Sequence, residues 1–267
     1  MRRVWPFLFL LAGCSPAGEI APGQIVSNNP CVDAVLARIA APGQIGAVSS
    51  WSHDPASASA PLGWARAYPA LGPTAEEVIA ARPKLLLTGN LASGGTNAAL
   101  AEAGIPIRAY GVPATVRESV DQVRDIARAI GRVEAGEALA QQIEAAARPS
   151  SQPVRRTAII WQSGGFVPGK GTLQDELLAR AGFRNASKTY GLTQWDVLPV
   201  EALLRRPPDV IFMPDSATGE DGKAIAARQK LLRHLAGRTR IVVFPDRLLF
   251  CGGPTIIDAM HQLRRAS

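Results

Sequence analysis

Three cysteines carry most of the chemistry this sequence can be read for. Cys14 follows Leu11-Ala12-Gly13 at the end of a short apolar run, Val4 to Leu11, which Arg2 and Arg3 precede. A positive start, an apolar stretch and small residues before a cysteine form a lipobox. Small side chains admit a signal peptidase at the Gly13–Cys14 bond, and the Cys14 thiol then takes a diacylglyceryl group. Cys31 and Cys251 stay in the body of the chain, and in an oxidising compartment such an even number permits one disulfide without demanding it. Each sits beside a predicted strand end, Cys31 after Asn29-Pro30 and Cys251 before Gly252-Gly253, so a fold that aligns strand ends aims both at one cleft. A disulfide, a thiolate pair on a soft metal and two packed thiols are all open to them.

Signals for catalysis are weaker. No nucleophile-elbow serine is present, and His53, His234 and His261 show no metal-ligand spacing. The stretch Gly164 to Gly171 follows a predicted strand and resembles a phosphate loop through Gly169-Lys170, but Gly171 stands where the magnesium-binding Ser or Thr belongs. A nucleotide-binding or metal-cluster α/β enzyme is therefore the alternative from another class, without a glycine-rich fingerprint after the first strand to support it. Binding of a large, flat, partly apolar ligand is better served. Such a ligand needs aromatic planes and a few polar anchors, and predicted strand-end loops supply Trp51, Trp64, Phe166 and Trp195, with Arg247 as a candidate anchor. Trp51 and Trp195 stand out because each lies among polar neighbours, Ser52-His53-Asp54 and Thr193-Gln194, where burial is hard to arrange.

Positioning these groups requires short apolar strands that alternate with helical patterns. Gln24–Ser27, Ile45–Trp51, Lys84–Thr88 and Ile105–Tyr110 read as strands, and Thr157–Gln162, Val210–Met213 and Ile241–Phe244 form a second set. The expected fold is α/β, two lobes of mostly parallel sheet with the ligand cleft at the C-terminal strand ends. Residues 116–148 hold no proline, and their only glycines are Gly131 and Gly136, so one or two helices there would join the lobes rigidly. The expected organisation is a signal peptide over 1–13, a tether over 14–23, lobes over 24–115 and 149–267, and the helical link between them. An internal echo relates the lobes: Glu76 and Glu201 each open a short helix, six residues separate each from a proline that stops it, and an apolar strand follows. Stabilisation of the helix N-terminus explains one such glutamate, and matching acids on two lobes suggest a surface gripped at two points.

Composition narrows the classes further. The 267 residues are 47% hydrophobic and 19% charged, which suits a folded chain and not a disordered one. No stretch outside the N-terminus approaches the ~18 apolar residues of a spanning helix, so a permease or channel is excluded. The formal charge of +7 permits nucleic-acid binding without arguing for it, because Lys and Arg are spread along the sequence and no zinc or RNA-binding signature accompanies them. No nucleic-acid partner is expected, and no cofactor is called for.

Taken in order, these landmarks resemble the periplasmic cobalamin and ferric-siderophore binding proteins of ABC importers, over residues 24 to 265. Ile25-Val26-Ser27-Asn28-Asn29-Pro30 resembles that family's first strand and turn into the cleft, Val48-Ser49-Ser50-Trp51-Ser52 with Pro55 its aromatic loop, and Pro168-Gly169-Lys170-Gly171-Thr172-Leu173 its second-lobe loop. Trp195, six residues before Glu201, matches a ligand-contacting tryptophan of the cobalamin binder, the member most similar here. The resemblance implies two βα lobes joined by a single long helix, a metal chelate as ligand, and a permease whose arginines receive Glu76 and Glu201. It also implies a periplasmic protein that is not an enzyme, held to a membrane through Cys14. Pro30, Cys31, Trp51, Trp64, Phe166, Trp195, Arg247 and Cys251 are the expected ligand-binding set. The last cleft loop departs from the cobalamin binder, with Cys251 and Arg247 where that protein has an arginine and an aspartate, so ferric-siderophore and haem receptors of the same fold stand as alternatives to a corrinoid.

Overall fold

In the computed structural model, residues 23–89, 94–151, 156–214 and 222–267 are described. Cys14, the signal segment and nearly all of the tether lie outside the described residues. Strand β1 (Ile25–Ser27) is wholly buried. The chain then turns at Asn29, whose side chain accepts a hydrogen bond from the Cys31 N–H at 2.9 Å, and Pro30 opens helix α1 (Pro30–Ile39) with its φ already set for a helix. The same alternation continues through β2 (Ile45–Ser49), α2 (Leu62–Ala65), β3 (Ala70–Leu71), α3 (Ala75–Ala81), β4 (Leu85–Gly89), α4 (Gly94–Glu102) and β5 (Ile107–Tyr110). These strands make one parallel sheet in the order β3-β2-β1-β4-β5. Burial on both faces explains the continuous apolar runs at its centre, Ile45 to Val48 and Leu85 to Leu87.

Helices α5 (Val116–Ala129) and α6 (Val133–Ala146) follow. The single long helix implied by the resemblance is replaced by two that fold back on each other. Gly131 adopts φ +69°, a left-handed conformation that ends α5, and the Arg132 N–H closes the turn on the Ala127 carbonyl at 2.7 Å. Gly136 then permits close packing, since a Cβ there would stand 2.1 Å from that of Ala127. Arg124 clasps the pair from outside, 2.8 Å from Glu137 and 3.2 Å from Glu144.

The second half contains β6 (Arg156–Ile160), β7 (Phe166–Pro168), α7 (Leu173–Arg180), β8 (Phe183–Asn185), β9 (Trp195–Val197), α8 (Val200–Arg205), β10 (Val210–Met213), α9 (Gly222–Leu235), β11 (Arg240–Val243) and α10 (Thr255–Arg264). Its main sheet is parallel, in the order β11-β10-β6-β8, while β7 and β9 pair antiparallel beside it. Phe183, Phe212 and Phe244 stack edge to face at 5.6 and 5.8 Å in its core. One apolar cluster runs from Ile25 and Val35 through Val123 and Ile143 to Leu177, Phe212 and Met260, so both halves share a continuous core through α5 and α6. Among the described residues no helix is long and apolar enough to cross a membrane.

Candidate functional site

The C-terminal ends of β1, β4 and β5 open onto a cavity of about 820 Å³. Asn28 to Cys31 with Val32 and Val35 form one wall, Thr88-Gly89 and Tyr110 to Pro113 a second, and Ser119, Gln122, Val123 and Ile126 of α5 a third. The second half of the chain contributes the loop Phe250–Gly253. That loop is fixed by chemistry sixty residues and more away in sequence. Gly253 donates its N–H to Ser119 Oγ at 2.5 Å, and the Gln174 side-chain amide donates to the Leu249 carbonyl. At Gly252 a Cβ would meet Ser119 Oγ at 2.6 Å and Pro113 Cγ at 2.7 Å, so only glycine lets the loop lie this close to α5.

Cys31 and Cys251 form a disulfide in this wall, with Cα atoms 5.1 Å apart across 220 residues of sequence. Of the three chemistries open to them, the bridge is the one adopted. Both sulfurs are consumed, and neither can serve as a thiolate ligand to a metal.

Trp51 stands at the rim, 56% exposed. Sequence pattern places it at the end of a strand; instead it lies in the single 3-10 turn Ser50–His53, because a buried carboxylate gathers the turn. Asp33 Oδ2 accepts the Ser49 N–H at 2.9 Å and the Ser52 hydroxyl at 2.6 Å. Burial pushes the Asp33 pKa up to about 7, opposed by hydrogen bonds from Ser27, Ser52 and Ser49.

Among the described residues the cavity lining is polar in places but uncharged. Its described residues include no Asp, Glu, Lys, Arg or His. The Tyr110 hydroxyl donates to Asp125 Oδ2 at 2.9 Å, and burial together with that carboxylate holds its pKa well above the usual tyrosine value. Gln122 donates to the Gly111 carbonyl at 2.9 Å. Among the described residues no group of three or more His, Cys, Asp or Glu could hold a metal ion.

Of the residues singled out from sequence, Pro30, Cys31, Trp51 and Cys251 come together around this cavity. The others stand apart from its lining. Trp64 packs against the core and tilts onto Tyr68, ring centres 5.0 Å apart. Phe166 and Trp195 are half-exposed on the two-stranded β7–β9 sheet, opposite Val197 and Pro168 respectively. Arg247 Nη1 pairs with Asp258 Oδ2 at 3.1 Å on the surface. Glu76 and Glu201 lie exposed in the first turns of α3 and α8. At α3 the helix-stabilising role belongs to the neighbouring Glu77, which accepts the Gly72 N–H at 2.5 Å, leaving Glu76 outside that bond. Sequence reading missed Tyr110, Val112, Gln122 and Phe250. A signal existed for one of them: Gln122 lies beside the buried stripe of α5, which holds Val120, Val123 and Ile126 and one other polar residue, Ser119.

Comparison with known proteins follows the same lines. The family model described as periplasmic binding protein matches residues 25–243. No curated protein matches at a significant level. Among solved structures, the apo periplasmic heme-binding protein RhuT from Roseiflexus sp. RS-1 is similar at a TM-score of 0.71 and 23% identity, covering 92% of this chain and 99% of that one. The periplasmic heme-binding protein HutB of Vibrio cholerae has a TM-score of 0.73 at 17% identity, covering 91% and 98%. A periplasmic heme-binding protein from Pseudomonas aeruginosa has a TM-score of 0.69 at 22% identity, covering 92% of each chain. At these identities the likeness is one of fold.

Proposed function

Since the chain belongs to the periplasmic binding protein family, we propose that it captures a metal chelate in the cavity beside the Cys31–Cys251 bridge and hands it to an ABC permease. The ligand class follows from the uncharged lining. An anionic ligand in a partly enclosed cavity would call for a cationic partner, and an iron centre with an open coordination position would call for a free His, Tyr, Cys or Met. The described lining offers neither, since Tyr110 is engaged with Asp125 and both cysteines are bridged. A chelate whose metal is already fully coordinated and whose binding face is uncharged fits best, and a corrinoid is the leading candidate. Trp51 and Phe250 at the rim supply apolar planes for it and Val112 a further apolar contact, and Asn29, Gln122 and Ser119 supply hydrogen bonds. Phe166 and Trp195 keep a role only for parts of the ligand that extend past this cavity.

Delivery needs reversible binding and no covalent step. Glu76 and Glu201, exposed in the first turns of two separate helices, are the proposed grips for permease arginines. Cleavage before Cys14 and acylation of its thiol would hold the protein at a membrane; removal of residues 1–13 leaves 27 basic against 22 acidic residues. The haem-binding names of the fold neighbours make haem the second reading. Calorimetric titration with cyanocobalamin, haem, a ferric hydroxamate and a ferric catecholate separates the two: saturable corrinoid binding is expected, and saturable haem binding with none for corrinoid overturns the ligand assignment.

A further inference from the structure

The positive charge of this protein looks diffuse along the sequence, yet the fold gathers it. Residues 24–115 carry five basic and five acidic residues, while residues 149–267 carry 17 basic and 10 acidic, so the whole formal excess of +7 resides in the second half. Topology concentrates it further. In a parallel α/β sheet the strand beginnings and the helix endings share one edge, opposite the edge where ligands enter. At that edge lie Arg156 at the start of β6, Arg184 in β8, Arg240 at the start of β11, Arg180 closing α7, Arg205 and Arg206 closing α8, Arg233 and Arg238 around the end of α9, and Arg264 and Arg265 closing α10. Contacts confirm the clustering: Arg264 donates to the Arg148 carbonyl, Arg240 to that of Ala266 at 3.4 Å and Arg180 to that of Ala147 at 2.8 Å.

Few acids answer these cations. Glu176 is taken up by Arg180 at 2.7 Å. Asp209 accepts from Thr157 at 2.7 Å and lies within reach of the fields of Arg156 and Arg184. Arg184, Arg205, Arg206, Arg233, Arg238 and Arg265 are exposed and form no ion pair among the described residues. Favourable interaction with helix C-termini accounts for about one arginine per helix, at Arg180, Arg205 and Arg264. It leaves the strand-borne and post-helical arginines without a local reason.

We propose that this arginine-rich pole, on the far side of the second half from the ligand cavity, is an electrostatic contact for an anionic phospholipid surface. The choice of occupant rests on the periplasmic setting of the family, which places the protein between two membranes. It also rests on the character of the pole: its cations are spread over the ends of three strands and four helices, and the small apolar cleft beside them, lined by Ala146, Ile257 and Met260 with Arg264 and Arg265, borders only two of them. A broad, laterally uniform sheet of negative charge is what such a surface fits. The inference is independent of which chelate the cavity takes and of whether Cys14 is acylated. Its consequence is orientation: a molecule resting on lipid by this pole holds the pole's opposite edge, with the cavity, away from that lipid.

Flotation with vesicles tests it on the mature chain, residues 14–267 carrying Cys14→Ala, so that neither an acyl chain nor the apolar run Val4–Leu11 contributes. The wild-type body should bind vesicles of phosphatidylglycerol and phosphatidylethanolamine, ignore pure phosphatidylcholine, and release as salt rises from 50 to 300 mM, because the attraction fades within a Debye length. Each basic residue near such a surface is worth roughly fivefold in partitioning. Arg184→Gln/Arg206→Gln/Arg238→Gln/Arg265→Gln should therefore weaken binding more than a hundredfold, while the same charge removed from the first half, in Arg38→Gln/Arg66→Gln/Arg82→Gln/Lys84→Gln, should leave most of it. Unchanged circular dichroism and an unchanged denaturant midpoint confirm that either variant is folded. Binding undiminished in the first variant, equal loss in both, equal binding to phosphatidylcholine, or retention on heparin without vesicle binding would each overturn the proposal.

Discussion

Breaking the Cys31–Cys251 bridge should cost the protein much of its stability and little of its ligand. The bridge closes 220 residues, among the longest loops this chain allows. In the chain-entropy treatment such a loop removes about 18 cal/mol/K from the unfolded ensemble, or about 5 kcal/mol at room temperature. Unfolding entropy of about 2.1 cal/mol/K per residue, over 267 residues, makes each kcal/mol worth about 2 °C, so the expected fall in Tm is about 10 °C. The cavity wall has other supports, however: Ser119 holds Gly253, Gln174 holds Leu249, and the Thr255 hydroxyl caps Cys251 O at 2.7 Å. Affinity should therefore drop less than tenfold. Calorimetric unfolding of Cys31→Ser/Cys251→Ser beside the parent, each with and without reductant and both carrying Cys14→Ala, checks this. The parent should fall to the double variant's Tm on reduction, and the double variant should not respond. A change below 2 °C would refute the loop-closure reasoning, and loss of ligand binding with an intact fold would refute the independence of the wall.

Three further outcomes follow from individual contacts. Asp33 has a folded pKa near 7 against 3.8 for the free side chain, so from about pH 4 to pH 7 the unfolded chain gives up this proton while the native protein keeps it; stability should fall with rising pH across that window and level off above it, and Asp33→Asn should flatten the slope in urea titrations run at several pH values. Gly252→Ala should lower stability by about 1–3 kcal/mol and weaken chelate binding, because its Cβ meets Ser119 and Pro113 and forces the Phe250–Gly253 loop outward; denaturant midpoints measure the first effect and titration the second. Glu76→Arg/Glu201→Arg should leave fold and affinity unchanged, exposed carboxylates being worth at most about 1 kcal/mol, while abolishing chelate uptake by cells that depend on the importer.

Much of this architecture could be read from the residues alone, and the omissions have physical causes. Apolar runs such as Leu85-Leu86-Leu87 announce strands buried on both faces, and Asn29-Pro30 marks a capped helix start. The two- and three-residue strands β3, β7, β8 and β9 hold too little pattern to register, unlike the equally short β1, which the Asn29-Pro30 helix start after it marks out. In the helical link, Gly131 and Gly136 were visible as the only weak points, but their duties, a left-handed turn at one and close packing at the other, depend on α6 folding back onto α5. Composition could aim Cys31 and Cys251 at one cleft and could not decide among a bridge, a metal site and packing, a choice fixed by the distance between two backbones. Aromatic type likewise does not separate a rim residue from a core one: Trp51 is lifted into solvent by the turn that Asp33 ties down, while Trp64 lies against Tyr68. Arginines scattered along the second half become a single pole only when parallel strands bring their beginnings to one edge.

The central claim is that an uncharged, fully coordinated chelate occupies the cavity beside the disulfide. Anomalous diffraction at the cobalt edge, from crystals grown with cyanocobalamin, reads its position directly. A single strong peak should lie within the space bounded by Trp51, Gln122 and Phe250, with no protein side chain ligating the metal. A peak elsewhere, or an empty cavity at saturating corrinoid, would contradict the account.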